Sequence, residues 1–141
     1  MSREGVERTE RAAAAVNATY RTGDIGPWRR YVEETYDPGV VLDTTGGAFT
    51  EGEWRGHDGV VGFVANQMDV LDDMWLRVDD HIHDTDDCAV VAITFGGRAR
   101  HGGLEVTLHP VHVFRLRDRR VVHRQIFQER EQALAAVGLR E

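Results

Sequence analysis

The sequence predicts an α+β fold in which three helices come first, a mainly antiparallel sheet follows, and a short helix closes the chain. Two observations carry this. Apolar residues recur near the 3.6-residue period through the first half. From Trp75 onward they alternate with the period of two that marks half-buried strands. A third observation bounds the size. With 141 residues, 41% of them hydrophobic and 29% charged, the composition is that of one ordinary domain, so residues 1–141 are read as a single unit whose core needs no disulfide.

The elements follow in order. "VERTERAAAAVNATYRTGD" reads as a helix whose inner face carries Val6, Ala13, Val16, Asn17 and Tyr20, stopped by Gly23. Asp24 is expected to cap a second helix with Pro27 in its first turn. That helix, "PWRRYVEETY", buries Trp28, Tyr31 or Val32, and Thr35 or Tyr36, and "DPG" then turns the chain out. "VVLD" is a short strand ending at Asp43, and "TTGGAFTEGEWRG" is a glycine-rich connection with the makings of a small hairpin. Asp58 opens a third helix with a stripe of Val60 or Val61, Val64, Met68 and Leu71. "WLRVDDHIH", "CAVVAITFGGRARHG", "LEVTLHPVHVFRLR" and "VVHRQIFQER" then form a four-stranded meander, and "EQALAAVGL" is the closing helix.

Composition excludes several function classes. The net charge is −7 and all 17 basic residues are arginine in no basic cluster, so a nucleic-acid partner is not expected. No stretch approaches membrane length and the N-terminus has no apolar signal core, so no membrane partner and a cytoplasmic location are expected. Cys88, the single cysteine, lies in an apolar strand and reads as a core thiol. His81 and His83 share a strand face at a spacing that can chelate a metal. Ile82 between them is expected to face the core, which turns both outward beside acidic pairs, so no metal site is predicted. Gly46 and Gly47 lack the lysine and the strand–helix context of a phosphate loop, and no cofactor motif appears.

The candidate site begins with His112. It shares one strand face with Leu108, Pro110, Phe114 and Leu116, where a core side chain belongs. A neutral imidazole offers one donor and one acceptor and titrates near neutrality, which suits proton transfer at a pocket wall. The same position also suits a core histidine bonded to the backbone. Pro110 removes a ladder donor and implies a bulge or local edge. Asp43 closes the run "VVL", where a carboxylate either enters a pocket or caps the strand end. On the last strand either Val122, Arg124, Ile126 and Gln128 or Val121, His123, Gln125 and Phe127 face inward. A buried Arg124 would call for a carboxylate partner. Trp28 and Trp54 read either as flat apolar walls or as helix–sheet packing.

Taken together, the helix–"GD"–helix opening, "DPGVVLD", "EGEWRGHDGVVGFV", the long sheet and the terminal "ALAAVGL" resemble the SnoaL-like branch of the NTF2-like superfamily, over almost the whole chain. This group includes polyketide cyclases, ketosteroid isomerases and scytalone dehydratase. The resemblance implies a cone: a strongly curved, mainly antiparallel sheet wrapped over helices, with a cavity at its open end and an outer face that pairs two copies. Val111 and Val113 are expected to be exposed on that face. The resemblance also favours the Arg124 face as inward and places the isomerases' catalytic aspartate at Asp43. Their oxyanion tyrosine falls on Val16, with Tyr20 one turn later on the same face, and their oxyanion acid falls on His112. It therefore implies a hydrophobic small-molecule pocket that needs no cofactor, in a cyclase, isomerase or dehydratase acting on a small apolar carbonyl compound. In that reading Asp43, His112 and Tyr20 are catalytic, and Trp28, Trp54, Pro110, Phe114, Arg124, Ile126 and Gln128 are substrate-binding. A non-catalytic ligand-binding or dimerisation module of the same fold is the alternative.

Overall fold

Gly23 ends the first helix, α1 (Arg3–Thr22), by taking a φ of +74°, a left-handed conformation that costs glycine little. The computed structural model describes residues 3–46 and 52–139. Helix α2 (Gly26–Thr35) follows at once. Asp24 is not its cap. Ile25 holds the cap position without a side-chain bond, and the Asp24 carboxylate, one residue before it, accepts the N–H of Gly26, the first residue of α2, at 2.8 Å. The first N–H groups of α2 find a partner elsewhere: Trp28 N–H donates to the buried Thr19 hydroxyl at 3.0 Å, tying α2 to α1.

Strand β1 (Tyr36–Gly46) begins directly at the end of α2. "DPG" is thus not a turn but an irregularity within a long strand, and the register against the last strand breaks between Tyr36 and Val41. Pro38 has no N–H to give a ladder, and the Asp37 carboxylate takes the Gly39 N–H at 2.8 Å, so the chain bulges and continues. Strand β2 (Glu53–Arg55) pairs antiparallel with β1, completing the expected hairpin; its connection, 47–51 including Gly47, lies outside the described residues. Helix α3 (Gly56–Val70) has Arg55 at its cap position; Asp58 lies inside the first turn and pairs with Arg29 at 3.0 Å.

Four more strands and a helix were expected, and one break was not. Strands β3 (Leu71–Asp84), β4 (Cys88–Ala99), β5 (Glu105–Leu108), β6 (Val111–Arg117) and β7 (Arg120–Phe127) precede α4 (Arg130–Ala136). The predicted single strand through Pro110 is two strands, β5 and β6, because proline interrupts the ladder. The sheet is not a four-stranded meander. It is a curved, unclosed, mixed sheet of seven strands in the order β2-β1-β7-β6-β4-β3, with β5 also on β4, and β1 runs parallel to β7.

Alternation decides what each face buries. Helices α1, α2 and α3 cover the face that carries Val40, Leu42, Leu116 and Ile126. Asn17 of α1 clamps β3, an end strand of the sheet: its amide donates to Leu76 O at 2.8 Å and accepts from Leu76 N at 2.9 Å. The opposite face was expected to be free. Instead α4 packs there, so Val111 and Val113 are only 3% and 1% exposed, in a cluster with Cys88, Val90 and Ala133. Ile82 joins this outer cluster rather than the inner core, since the β3–β4 register shifts after Val78 and again between His81 and His83. Among the described residues no helix is long and apolar enough to cross a membrane.

Candidate functional site: a donor-rich cavity between α1 and the sheet

The strand face questioned in the sequence does line a cavity, of about 100 Å³. Leu108, Pro110, His112 and Phe114 form one wall in chain order, and Val91, Ile93 and Phe95 of β4 continue it. The facing wall comes from α1, where Ala12, Ala13, Val16 and Tyr20 recur at helical spacing. Phe63 and Val64 of α3 close one side. Gln128, exposed to solvent, marks where the cavity opens.

Strand register delivers the polar groups. Arg124 pairs with Leu42 on one side and Phe114 on the other, so all three point to the inner face. His112 is the diagonal neighbour of Arg124 across β6 and β7, within side-chain reach. The guanidinium spends three of its N–H groups here. Nη2 and Nε donate to His112 Nδ1 at 2.8 and 3.2 Å, and Nη1 donates to the Tyr36 hydroxyl oxygen at 3.2 Å. Its plane also lies over Phe114, 5.3 Å from the ring centre. The buried arginine was expected to need a carboxylate. Among the described residues it has none, and none of the described wall residues is acidic.

This geometry fixes the protonation of His112. Arginine only donates, so Nδ1 is the bare acceptor and the ring hydrogen sits on Nε2. Burial, and then the adjacent Arg124 cation, hold the imidazole well below its ordinary pKa. His112 is therefore a neutral Nε2–H donor facing the cavity rather than a group that exchanges protons near neutral pH. Tyr20 also lines the cavity, with its ring edge-on to Phe95 at 6.3 Å; burial pushes its phenol pKa well up, partly opposed by Arg124. It too remains a protonated donor.

The other predicted residues divide cleanly. Pro110, Phe114, Arg124, Ile126, Gln128 and Trp28 line the cavity. Trp28 stacks on Tyr31 at 5.6 Å and meets Tyr36 edge-on, and its buried Nε1–H has no acceptor among the described residues. Trp54 is not a wall. It packs edge-on against Phe63 at 5.6 Å, on top of α3, where a side chain at Gly59 would come within 2.8 Å of the Trp54 backbone. Asp43 is not in the wall either. Leu42 and Thr44 point inward, so strict alternation turns Asp43 to the other face, beside its pairing partners Glu53 and Gln125. The expected aspartate–histidine pair does not form across the cavity. Tyr36, unnoticed in the sequence, is the residue that completes the Arg124 cluster; only the parallel pairing of β1 with β7 brings it there.

A second polar cluster lies on the outer face. The Thr94 hydroxyl bonds Asp79, takes a hydrogen bond from Arg77 at 3.2 Å and meets His109 Nδ1 at 3.1 Å. The bonds from Thr94 and Arg77 lower the Asp79 carboxyl pKa. Asp79 is thus pinned in the sheet by two side-chain hydrogen bonds.

The comparisons agree with the fold. The family model for the SnoaL-like domain matches residues 10–124, and the chain belongs to that family. No curated protein matches the chain in sequence. A putative SnoaL-like polyketide cyclase from Jannaschia sp. CCS1 superposes with a TM-score of 0.71 at 20% identity, over 96% of this chain and 89% of that one. A hypothetical protein with a ketosteroid isomerase-like fold from Catenulispora acidiphila DSM 44928 does so with a TM-score of 0.70 at 13% identity, over 95% and 94%. TerC, co-crystallised with polyporic acid, gives a TM-score of 0.64 at 25% identity, over 94% and 96%.

Proposed function

We propose that this SnoaL-like domain binds a compact, largely apolar small molecule and polarises one of its oxygen atoms. The observation that carries the reading is the cavity itself, hydrocarbon and aromatic on most sides, with Arg124 and His112 at one polar station. Hydrophobic walls supply affinity, and a few fixed donors supply orientation, as in small-molecule sites generally. The TerC complex with polyporic acid supports a small organic ligand for a chain of this shape.

A carbonyl oxygen placed against His112 Nε2–H and the Arg124 guanidinium would gain charge stabilisation in a water-poor setting. The same two donors would favour the enolate of a bound carbonyl compound, so a polyketide cyclase-like role is the second reading, favoured by the likeness to the Jannaschia protein. The proton-accepting partner expected at Asp43 is not part of either reading.

Acetophenone titration tests the first reading, followed by tryptophan fluorescence because Trp28 lines the cavity. The expected result is a saturable change that disappears in Ala12→Phe, which fills the space. A featureless titration, or an unaltered one in Ala12→Phe, rejects the pocket.

A further inference from the structure

The polar groups gathered around Arg124 in the cavity are unbalanced in one direction. Arg124, 8% exposed, has five N–H bonds and uses three, leaving two without an acceptor among the described residues. His112, 6% exposed, makes no hydrogen bond at Nε2 among the described residues. Trp28, 3% exposed, has an indole N–H with no acceptor among the described residues. The Tyr36 hydroxyl accepts from Arg124, which leaves its own hydrogen to give. All four residues line the same cavity.

Each of these groups is a donor, and one carries a full positive charge. A buried guanidinium is costly unless an anion accompanies it, and a buried donor without an acceptor costs about 1–3 kcal/mol. The wall supplies the cation with an imidazole nitrogen, a phenol oxygen and an aromatic face, which satisfy its geometry but not its charge. The missing component is an acceptor with a negative charge.

We propose that the ligand of this cavity is an anion: a compact apolar frame bearing one carboxylate, or one acidic enol or phenol bound as its oxyanion, which pairs with Arg124 and takes a further hydrogen bond from His112 Nε2. The inference rests on the pocket reading above and adds the charge. A carboxylate on a planar ring suits the site, because two of its oxygens can meet two donors of the fork at once.

The test compares benzoate with nitrobenzene, its neutral isostere, by titration calorimetry on the wild-type protein and on Arg124→Met. In the wild type benzoate is expected to bind at least about tenfold more tightly, a difference of about 1.4 kcal/mol. Arg124→Met is expected to reverse the order while still binding nitrobenzene. Equal affinities in the wild type overturn the charge inference and leave the pocket standing. Failure of both probes removes the pocket and the inference with it. A benzoate preference that survives Arg124→Met overturns the role of the arginine.

A second readout needs no variant. 4-Nitrophenol absorbs differently as phenol and phenolate. Added to excess protein at about pH 6, below the pKa of the free phenol, it is expected to bind as the anion and to gain phenolate absorbance. Binding of the neutral phenol, with phenolate absorbance unchanged or reduced, overturns the enolic and phenolic form of the proposal, and overturns the whole of it if benzoate also shows no preference over nitrobenzene. The benzoate and nitrophenol arms together separate a carboxylate ligand from an enolic or phenolic one.

Discussion

His112 should make the stability of the folded protein depend on pH in a way that one substitution removes. In the fold its imidazole is buried and receives two N–H bonds from a guanidinium on Nδ1, so protonation would set two cations side by side out of water. The unfolded chain exposes the same histidine with its ordinary pKa of 6.5. Above that value both states are neutral and the group contributes no slope. Below it the unfolded state takes up a proton that the folded state refuses, so stability falls as the pH falls. One proton of difference is worth about 1.4 kcal/mol per pH unit, which accumulates to about 2 kcal/mol between pH 8 and pH 5. Urea unfolding of the wild type and of His112→Gln across that range isolates the effect, because other titrating groups are common to both. Gln keeps an oxygen acceptor for Arg124 and cannot titrate. The wild type should lose about 2 kcal/mol more than the variant on acidification. Parallel profiles would refute the reasoning, since they would mean that His112 titrates in the fold much as it does in the unfolded chain.

Other consequences follow from the same contacts. Thr19→Val should lower the unfolding free energy by about 1–3 kcal/mol in urea titration, because it removes the hydroxyl that accepts the buried Trp28 N–H and adds only a methyl. Leu42→Ala, at a fully buried position between Arg124 and α3, should cost about 2–5 kcal/mol. Ala12→Phe should abolish acetophenone binding while the melting temperature holds or rises, since the added ring occupies existing space rather than displacing core. Asp43→Asn should leave acetophenone affinity unchanged; a loss comparable to that of Ala12→Phe would put Asp43 back at the cavity.

Local signals in the sequence were reliable where one element decided the answer. The alternation of Leu108, Pro110, His112 and Phe114 is local to one short stretch and runs on through the break between β5 and β6, and the cavity wall follows it residue by residue. The helical stripe through Val16 and Tyr20 and the stop at Gly23 are equally local. Two features depended on distant partners and were not legible, and a third was misplaced by resemblance. The parallel pairing of β1 with β7 brings Tyr36 to Arg124, yet nothing near Tyr36 in the chain announces it. The docking of α4 hides Val111 and Val113, because seven residues of helix were enough to cover a face that alternation alone left open. Asp43 was drawn toward the cavity by a family resemblance, but the period of two commits Leu42 and Thr44 inward and so carries Asp43 away. That last conflict was visible in "VVLDT" itself: with a strand alternating through Val40 and Leu42, the next inward position is Thr44.

A crystal structure of the protein soaked with acetophenone bears most directly on whether the space between α1 and the sheet is a binding site. The ring should lie against Phe114 and Ile126, with its carbonyl oxygen within about 3.2 Å of His112 Nε2 or the Arg124 guanidinium. Acetophenone bound only outside the cavity, or α1 closed onto β6 so that no such space remains, would contradict it.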